Sequence, residues 1–215
     1  MKTLIVSATK LELAPLFESY DFTAVHSFLY EYQGLHLLVS GIGMMETALR
    51  LQHVLHQHNF DFVLQVGIAG SFTKSIAIGD VVEVISEQYG DLGAETAEQS
   101  FLTVHDIGLE LPTHFEEGRI VNQTHYPTLQ AVSSITVNSV SGAVETINER
   151  LSRFQVELEN MEGLAVFRVC KQLGVQFSEV RAISNYVEPR DRSKWNISKA
   201  VENLNQFVKD KFELS

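Results

Sequence analysis

Short apolar runs alternate with amphipathic stretches along almost the whole chain. A run of about four to eight apolar residues is typical of a buried strand, and apolar positions three or four apart are typical of a helix that packs on one face. Strands are therefore predicted at residues 3–8, 62–66, 81–86, 131–137 and 177–184. Helices are predicted at residues 10–20, 44–58, 143–153 and 197–212, and a further one starts near residues 159–163 and stops at Gly174.

Turn residues separate several of these elements. Gln33-Gly34 lies between two apolar stretches, residues 28–32 and 35–40, and this pattern predicts a hairpin. Glycine-rich segments follow two predicted strands, at residues 41–43 and 67–70. We expect a turn at residues 41–43, because glycine is the residue that most often marks turns. For residues 67–70 two interpretations stay open: a strand end where the backbone comes close to a ligand, or an ordinary tight turn.

The alternation of strands and helices predicts the fold class. Such an order is typical of a parallel or mixed sheet covered by helices on both faces. Residues 89–128 show few periodic signals, and we expect a long, partly irregular excursion over the surface. With 215 residues, 45 % of them hydrophobic, we predict an α/β fold in a single domain over residues 1–215.

Composition argues against several classes of function. The formal net charge is −11, whereas binding to a phosphate backbone depends on clustered Lys and Arg, so no nucleic-acid partner is expected. The first apolar run is too short for a signal peptide, and no segment is long enough to cross a bilayer, so no membrane partner is expected. Cys170 is the only cysteine, which excludes an internal disulfide and favours a cytoplasmic protein.

Two segments in the second half of the chain contain the strongest candidates for a site. Residues 159–163 (ENMEG) precede a predicted helix, and residues 181–185 (RAISN) end a predicted strand. Ligands bind in α/β sheets where strand ends face helix starts, so Glu162 and Asn185 could share one pocket. Taken alone, the two residues are more simply explained as a first-turn carboxylate and a turn residue.

Other candidates follow the earlier strands. Glu12 comes just after the first strand, although alone it is more simply a surface helix residue. Residues 41–43 lack the third glycine of the G-x-G-x-x-G fingerprint, so NAD binding is not expected. The eight histidines have no carboxylate or cysteine companions in a metal-binding pattern. We therefore predict neither a metal nor a cofactor.

The combined order of these segments resembles the nucleosidases and purine nucleoside phosphorylases of the phosphorylase superfamily. The resemblance runs over nearly the whole chain, and its most specific part is Met161-Glu162 with the spaced segment at residues 181–185. It implies a three-layer α/β/α sandwich around a mixed, partly barrel-like sheet. It also implies a small nucleoside substrate and assembly as a homodimer or larger homo-oligomer.

Within this superfamily, residues 184–197 (SNYVEPRDRSKWNI) resemble the futalosine hydrolase family, which acts in an alternative menaquinone pathway. The related methylthioadenosine/adenosylhomocysteine nucleosidases carry an aspartate where this chain has Asn185. An aspartic acid can protonate N7 of adenine, whereas an amide can only hydrogen-bond N7 and O6 of a 6-oxopurine. Hypoxanthine is a better leaving group and needs less protonation, because its carbonyl delocalises the negative charge of the departing base. Asn185 therefore points to release of hypoxanthine from futalosine.

The resemblance also implies roles for individual residues. Glu12 would orient and deprotonate the attacking water with help from Arg181, Glu162 would bind the ribose hydroxyls, and Met161 would pack on the sugar. These roles match glycosidic cleavage, which develops positive charge on the ribose and negative charge on the base. The remaining candidates for substrate contact around the sugar and base are Asn160, Gly43, Gly67, Ala69, Gly70 and Ser184.

Water is favoured over phosphate as the nucleophile. Phosphorylases of this superfamily hold phosphate with arginines and a serine near the glycine turns. Here Gln65 and Ile68 occupy the places beside Gly67, and residues 41–46 contain no cation, so an anion would be poorly held. The nucleosidases carry serine where Ile68 stands, so we expect a different local arrangement of water.

The 5′ side of futalosine, an aryl-keto chain that ends in a carboxylate, suggests further contacts. Arg190 or Arg192 would pair with the carboxylate, and Trp195 would cover the aryl ring. In the alternative interpretation, Asp191 and these arginines form a solvated capping network at the start of the last helix, while Trp195 packs in the core.

Three alternative functions stay open. Two are enzymatic: a nucleosidase for methylthioadenosine or adenosylhomocysteine, and a phosphorylase for inosine-like nucleosides. The third is a non-catalytic nucleoside-binding protein. The presence of Glu12, Glu162 and Arg181 together argues against the last.

Overall fold

The computed structural model describes residues 1–97, 100–122 and 124–214. These residues form one sheet of ten strands, a separate pair of short strands, and α-helices on both faces of the sheet. The strands are β1 (Thr3–Ser7), β2 (Thr23–His26), β3 (Leu29–Tyr32), β4 (Leu35–Val39), β5 (Phe62–Ser71), β6 (Val81–Tyr89), β7 (Gly93–Glu95), β8 (Phe101–Thr103), β9 (Arg119–Val121), β10 (Gln130–Thr136), β11 (Leu158–Asn160) and β12 (Gln176–Tyr186). The helices are α1 (Ala14–Ser19), α2 (Met44–Gln57), α3 (Val144–Arg153), α4 (Gly163–Leu173) and α5 (Ile197–Lys211).

The sheet is mixed and partly closed. Strands β12, β5, β1 and β4 lie side by side and run parallel, and the predicted hairpin of β3 and β4 extends this edge together with β2. On the other side β12 pairs antiparallel with β6, and β6, β10 and β11 run parallel. Because β11 also pairs antiparallel with β5, five strands close into a barrel. The predicted α/β/α fold with a mixed, partly barrel-like sheet is confirmed.

Two apolar cores explain the helical spacing of hydrophobic residues. Leu51 of α2 and Phe167 of α4 belong to the core on one face of the sheet. Leu16 of α1 and Leu204 of α5 belong to the core on the other face. Each of these side chains is completely buried. None of the helices in the described part of the chain is long and apolar enough to span a bilayer.

Residues 67–70 do not form the tight turn that was one of their two interpretations. Strand β5 continues through all four residues to Ser71. Pairing on both of its edges explains this: Gly67 lies opposite Arg181 of β12, and Gly70 lies opposite Glu159 of β11. Strand pairing on both sides therefore overrides the local preference of glycine for turns. The other glycine segment is a turn as predicted, and Gly43 has a φ of 87° just before α2.

The structure gives the detail of two further predicted segments. The predicted helix at residues 10–20 is a short 3₁₀ turn (Leu11–Leu13) followed by α1, whose first turn contains Pro15. The stretch predicted as partly irregular contains three short strands, β7, β8 and β9, and the last of them pairs with β6. Glu98, Gln99 and Gln123, which belong to that stretch, lie outside the described residues.

Candidate active site

The parallel strands place four candidate segments at one edge of the sheet. Glu12 follows β1, Gly43 follows β4, Gly67 lies in the second half of β5, and Asn185 lies near the end of β12. Strands β1, β4, β5 and β12 are neighbours and point the same way, so their carboxyl ends meet. This is where open α/β sheets bind ligands.

Glu12 is held rigidly in this edge. Its Oε2 accepts hydrogen bonds from Ser7 Oγ, from the Thr9 backbone N–H and from Thr9 Oγ1, each at 3.0 Å. Its Oε1 accepts a hydrogen bond from the Ile68 N–H at 3.1 Å. The side chain is buried, with only 6 % exposed. The carboxylate is thus fixed at the side of β5.

Glu162 is brought to the same edge of the sheet by the start of α4. It is the residue before α4, and its Oε1 accepts a hydrogen bond from the Gly43 N–H at 2.9 Å. Its Oε2 lies 3.9 Å from Arg181 Nη1. Burial raises the pKa of Glu162, and the nearby Arg181 charge acts against that rise. Arg181 therefore favours the ionised carboxylate, which acts only as a hydrogen-bond acceptor.

Arg181 is the cation that links these groups. It is 1 % exposed, and its Nη1 donates to the Ile68 carbonyl at 3.4 Å. Its Nε donates to Glu179 Oε1 at 2.6 Å, and its Nη2 donates to Asn160 Oδ1 at 3.0 Å. All three nitrogens of the guanidinium are therefore engaged. The Nη1 edge is the one that faces Glu162 and Gly67.

Asn160 is a buried residue that hydrogen-bonds both Arg181 and the backbone of Glu162. Its Oδ1 accepts hydrogen bonds from Arg181 Nη2 and from the N–H groups of Glu162 and Gly163. Its Nδ2 donates to Glu87 Oε1 and Ser134 Oγ. Since both ends of the buried amide are engaged, Asn160 acts by orienting its neighbours. The next residue, Met161, is half-buried beside it.

The candidates for base contact form a second cluster. Ser184 Oγ contacts both the Ala69 carbonyl, at 3.2 Å, and Asn185 Oδ1, at 2.8 Å. Asn185 Nδ2 donates one hydrogen bond, to the Tyr186 carbonyl at 3.0 Å. A Cβ on Gly70 would lie 3.2 Å from that Nδ2. The absence of a side chain at Gly70 thus leaves the second N–H of the Asn185 amide room to meet a ligand.

The arginines suggested for the 5′ side lie on a more exposed loop. The Arg190 guanidinium sits 5.0 Å and that of Arg192 6.0 Å from the Trp195 ring centroid. Asp191 accepts hydrogen bonds from Ser193 at the start of a short 3₁₀ turn, Arg192–Lys194, which is the capping role of the alternative interpretation. Among the described residues, no hydrogen bond or ion pair joins either arginine to Glu162 or Asn185. Both guanidinium groups of this loop therefore lie near the Trp195 ring.

Several residues of the site were missed from the sequence. Ser7 and Thr9 anchor Glu12, and their place between a strand and Glu12 was the available signal. Glu179 interrupts an apolar strand two residues before Arg181, which places both on one face. Arg50 lies beyond the residues 41–46 that were considered for a cation, yet its guanidinium would lie 3.4 Å from a Cβ on Gly41. Arg50 also donates to the Val39 carbonyl and pairs with Glu46 at 3.3 Å.

Gly67 is where the two sides of the site come closest, and this gives a first prediction. A Cβ at Gly67 would collide with Arg181 Nη1 and lie 2.9 Å from Glu12 Oε1. We expect Gly67→Ala to lower the kcat of any reaction carried out at this site by about 100-fold, because displacement of catalytic groups by about 1 Å has effects of that order. Gly34→Ala is the control for activity, since nothing lies within 4 Å of a Cβ there. Because the φ of Gly34 is 87°, this change strains the hairpin, and the two variants are compared at equal concentrations of folded protein. Equal activity of the two variants would contradict the prediction.

Comparisons with known proteins identify the family of this chain. The family model of the phosphorylase superfamily matches residues 2–213. The futalosine hydrolase of Streptomyces coelicolor is 32 % identical over 81 % of this chain and 77 % of its own length. That of Thermus thermophilus is 28 % identical over 96 % and 93 %. The 5′-methylthioadenosine/S-adenosylhomocysteine nucleosidase of Neisseria meningitidis superposes with a TM-score of 0.82 at 21 % identity, covering 99 % of both chains. The chain therefore belongs to the phosphorylase superfamily and, within it, to the futalosine hydrolase family.

Proposed function

We propose that this protein is a nucleosidase that hydrolyses the N-glycosidic bond of futalosine and releases hypoxanthine and dehypoxanthine futalosine. The observation that carries the proposal is the convergence of Glu12, Glu162 and Arg181 on one edge of the sheet, with Asn185 at the end of the same strand as Arg181. The futalosine hydrolase relatives support the choice of substrate.

Bond cleavage develops positive charge on the ribose, and two carboxylates stabilise that charge. Glu162, fixed by the Gly43 N–H, accepts hydrogen bonds from the ribose hydroxyls. Glu12 takes the proton of the attacking water, because its own four hydrogen bonds hold it in one orientation beside β5. Arg181 Nη1 lies next to Glu12 Oε1 across Gly67 and binds the same water. Met161, next to Glu162, packs on the sugar.

The departing base becomes negatively charged, and hydrogen-bond donors stabilise that charge. Asn185 offers the free N–H of its amide to N7 or O6 of hypoxanthine. Ser184 fixes the orientation of the amide by donating to its oxygen at 2.8 Å. A 6-aminopurine presents a donor where hypoxanthine has O6, so the adenine nucleosides of the first alternative are poorer substrates in this proposal.

Phosphorolysis is a second candidate because of one specific observation. Arg50 lies beside Gly41 and supplies a cation near the glycine turn. However, Glu46 and the Val39 carbonyl already engage its guanidinium. An anion at this place would have to compete with the Glu46 carboxylate, so the proposal keeps water as the nucleophile.

We also propose that the enzyme works in the cytoplasm as a homodimer or larger homo-oligomer. The single cysteine, Cys170, is buried and free, as expected in a reducing compartment. Assembly is inferred from the superfamily, and sedimentation or light scattering of the purified protein would measure it. A neighbouring subunit is the natural source of additional contacts for the extended 5′ chain, beside Arg190 and Trp195.

A substrate panel tests the proposed function. Purified protein is incubated with futalosine, inosine or methylthioadenosine, each with and without phosphate, while release of the free base is followed by chromatography. We expect hypoxanthine from futalosine, at a rate that phosphate does not change. No hypoxanthine from futalosine would refute the proposal, and phosphate-dependent release would favour the phosphorylase.

A further inference from the structure

Two more glutamates are buried beside Arg181, and the reaction steps above do not use them. Glu179 lies two positions before Arg181 on β12, so both side chains point to the same face. Its Oε1 accepts the hydrogen bond of Arg181 Nε at 2.6 Å. Its Oε2 is buried and has no hydrogen-bond partner among the described residues. One oxygen of Glu179 thus holds the Nε edge of the arginine, and the other is left without a donor.

Glu87 reaches the same place from β6. The pairing of β6 with β10 shifts by one residue between Val84 and Ser86, and such a bulge redirects the side chains that follow. Glu87 is completely buried and accepts hydrogen bonds from Asn160 Nδ2 at 2.5 Å and from Thr136 Oγ1 at 2.7 Å. Both donors are neutral groups. Neither of these contacts therefore supplies a positive charge to balance an ionised Glu87.

Gly163, at the start of α4, lets the two carboxyl groups meet. A Cβ at this position would collide with Glu87 Oε1 and lie 2.7 Å from Glu179 Oε1. Both oxygens therefore occupy the space over one glycine. The charge of one buried carboxylate therefore disfavours ionisation of the other. Arg181 contacts only one of the pair, through Glu179 Oε1.

The charges around this cluster strengthen the conclusion. The groups that face Glu87 are Glu179 and Arg181 from β12, while β10 presents the Thr136 hydroxyl. Glu12 and Glu162 also act on Arg181, so four buried carboxyl groups surround one cation. Burial, and next the charge of Glu179, raise the pKa of Glu87 from 4.5 to about 8.

We propose that Glu87 and Glu179 share one proton and act as a single negative charge that holds Arg181 by its Nε edge. Both are positioning residues, because neither touches the site of the substrate. Asn160 links Glu87 to Arg181, since its Nδ2 donates to Glu87 while its Oδ1 accepts from Arg181 Nη2. The Nη1 edge, which donates to the Ile68 carbonyl, is then held where it faces Glu12 and Glu162. The assignment of this role to catalysis rests on the proposed function.

The pH dependence of stability tests the shared proton without an activity assay. Below a pH of about 8 the folded protein keeps the proton on Glu87, whereas the unfolded chain keeps it only below about 4.5. Wild-type protein therefore loses stability as pH rises through this window, and Glu87→Gln lacks that loss. We expect the Tm of wild type minus that of Glu87→Gln to fall by about 5 °C or more between pH 5 and pH 8.5. A constant difference would overturn the proposal.

The variant Glu179→Gln tests whether the two residues act as a pair. Without the Glu179 charge, the upper end of the pH window should move below 8, because Glu87 loses its like-charged neighbour. An unchanged window in this variant would overturn the sharing. Carboxyl NMR of wild-type protein with ¹³C-labelled glutamate checks the same point without substitution. One glutamate should titrate near pH 8, and its absence would also overturn the proposal.

Activity on futalosine tests the positioning of Arg181. We expect Glu179→Gln to lower kcat by about 30-fold with KM within about threefold, because Arg181 loses the partner of its Nε edge. Glu83→Gln is the matched control: it removes another buried carboxylate of β6, one that contacts the Tyr126 N–H, and should leave kcat unchanged. A kcat of Glu179→Gln within threefold of wild type would overturn the positioning role. If wild type itself does not cleave futalosine, the proposed function fails, while the stability and NMR measurements still decide whether the proton is shared.

Discussion

Replacing Glu12 by glutamine should lower kcat on futalosine by about 10³-fold or more while leaving KM within a few-fold. An amide cannot accept the proton of the attacking water, so the chemical step loses its base. The substrate contacts proposed for Glu162 and Asn185 are unchanged, so binding should persist. Isothermal titration with hypoxanthine or futalosine measures this binding, and stopped assays of base release measure kcat.

The structure also predicts a secondary effect of Glu12→Gln. All four hydrogen bonds to the carboxylate come from donors, so one N–H of the new amide must face another donor. This conflict should cost about 1–3 kcal/mol of stability, which a thermal melt would detect. Glu18→Gln, on the exposed side of α1, makes the same chemical change outside the site and should match wild type. A Glu12→Gln kcat within tenfold of wild type would exclude Glu12 as the base. A variant that binds but does not hydrolyse would also exclude a non-catalytic binding protein.

The convergence of Glu12 and Gly43 could be predicted because it follows from strand direction. Each lies just beyond a strand whose apolar run is clear in the sequence, and parallel neighbours bring such positions to one edge. Glu162 was predicted to join them only as the start of a helix that faces a strand end, because the short strand β11 before it was not predicted. The fold class follows from the same alternation of runs. Neither conclusion depends on the exact ends of the strands, which are the least reliable part of a sequence-based prediction.

The interior of the barrel could not be predicted in this way. Glu87 and Glu179 each interrupt an apolar strand, and a local pattern cannot tell a buried carboxyl from one at a solvated edge. Their meeting depends on the antiparallel pairing of β6 with β12, on the bulge in β6 and on the absence of a side chain at Gly163. The strand through Gly67 and Gly70 was missed for a related reason. Pairing with β11 and β12 decides its structure, and those partners lie about a hundred residues away along the chain.

Changing Asn185 to aspartate should shift the preference for the base. The new oxygen would face the Tyr186 carbonyl at the place where Nδ2 now donates at 3.0 Å. Two acceptors in contact repel unless the acid keeps a proton, so we expect the pKa of the introduced carboxyl to rise. A protonated aspartic acid can donate its proton to N7 of adenine, which the amide cannot do. In its ionised form it instead repels O6 and N7 of hypoxanthine.

The expected result for Asn185→Asp is a loss of about 100-fold in kcat/KM for futalosine at pH 8, with a smaller loss at pH 6, where more of the acid is protonated. Activity on methylthioadenosine should increase in the same variant. The ratio of the two kcat/KM values, measured on one preparation, removes any effect of partial unfolding. Asn148→Asp, an exposed position on α3, is the matched control and should leave the ratio unchanged. Since Ser184 still donates to Oδ1, the side chain should keep its orientation, so a changed ratio reports on the chemistry of the group that meets the base. An unchanged ratio would mean that Asn185 does not contact the base, and the choice of hypoxanthine would then have to rest on other residues.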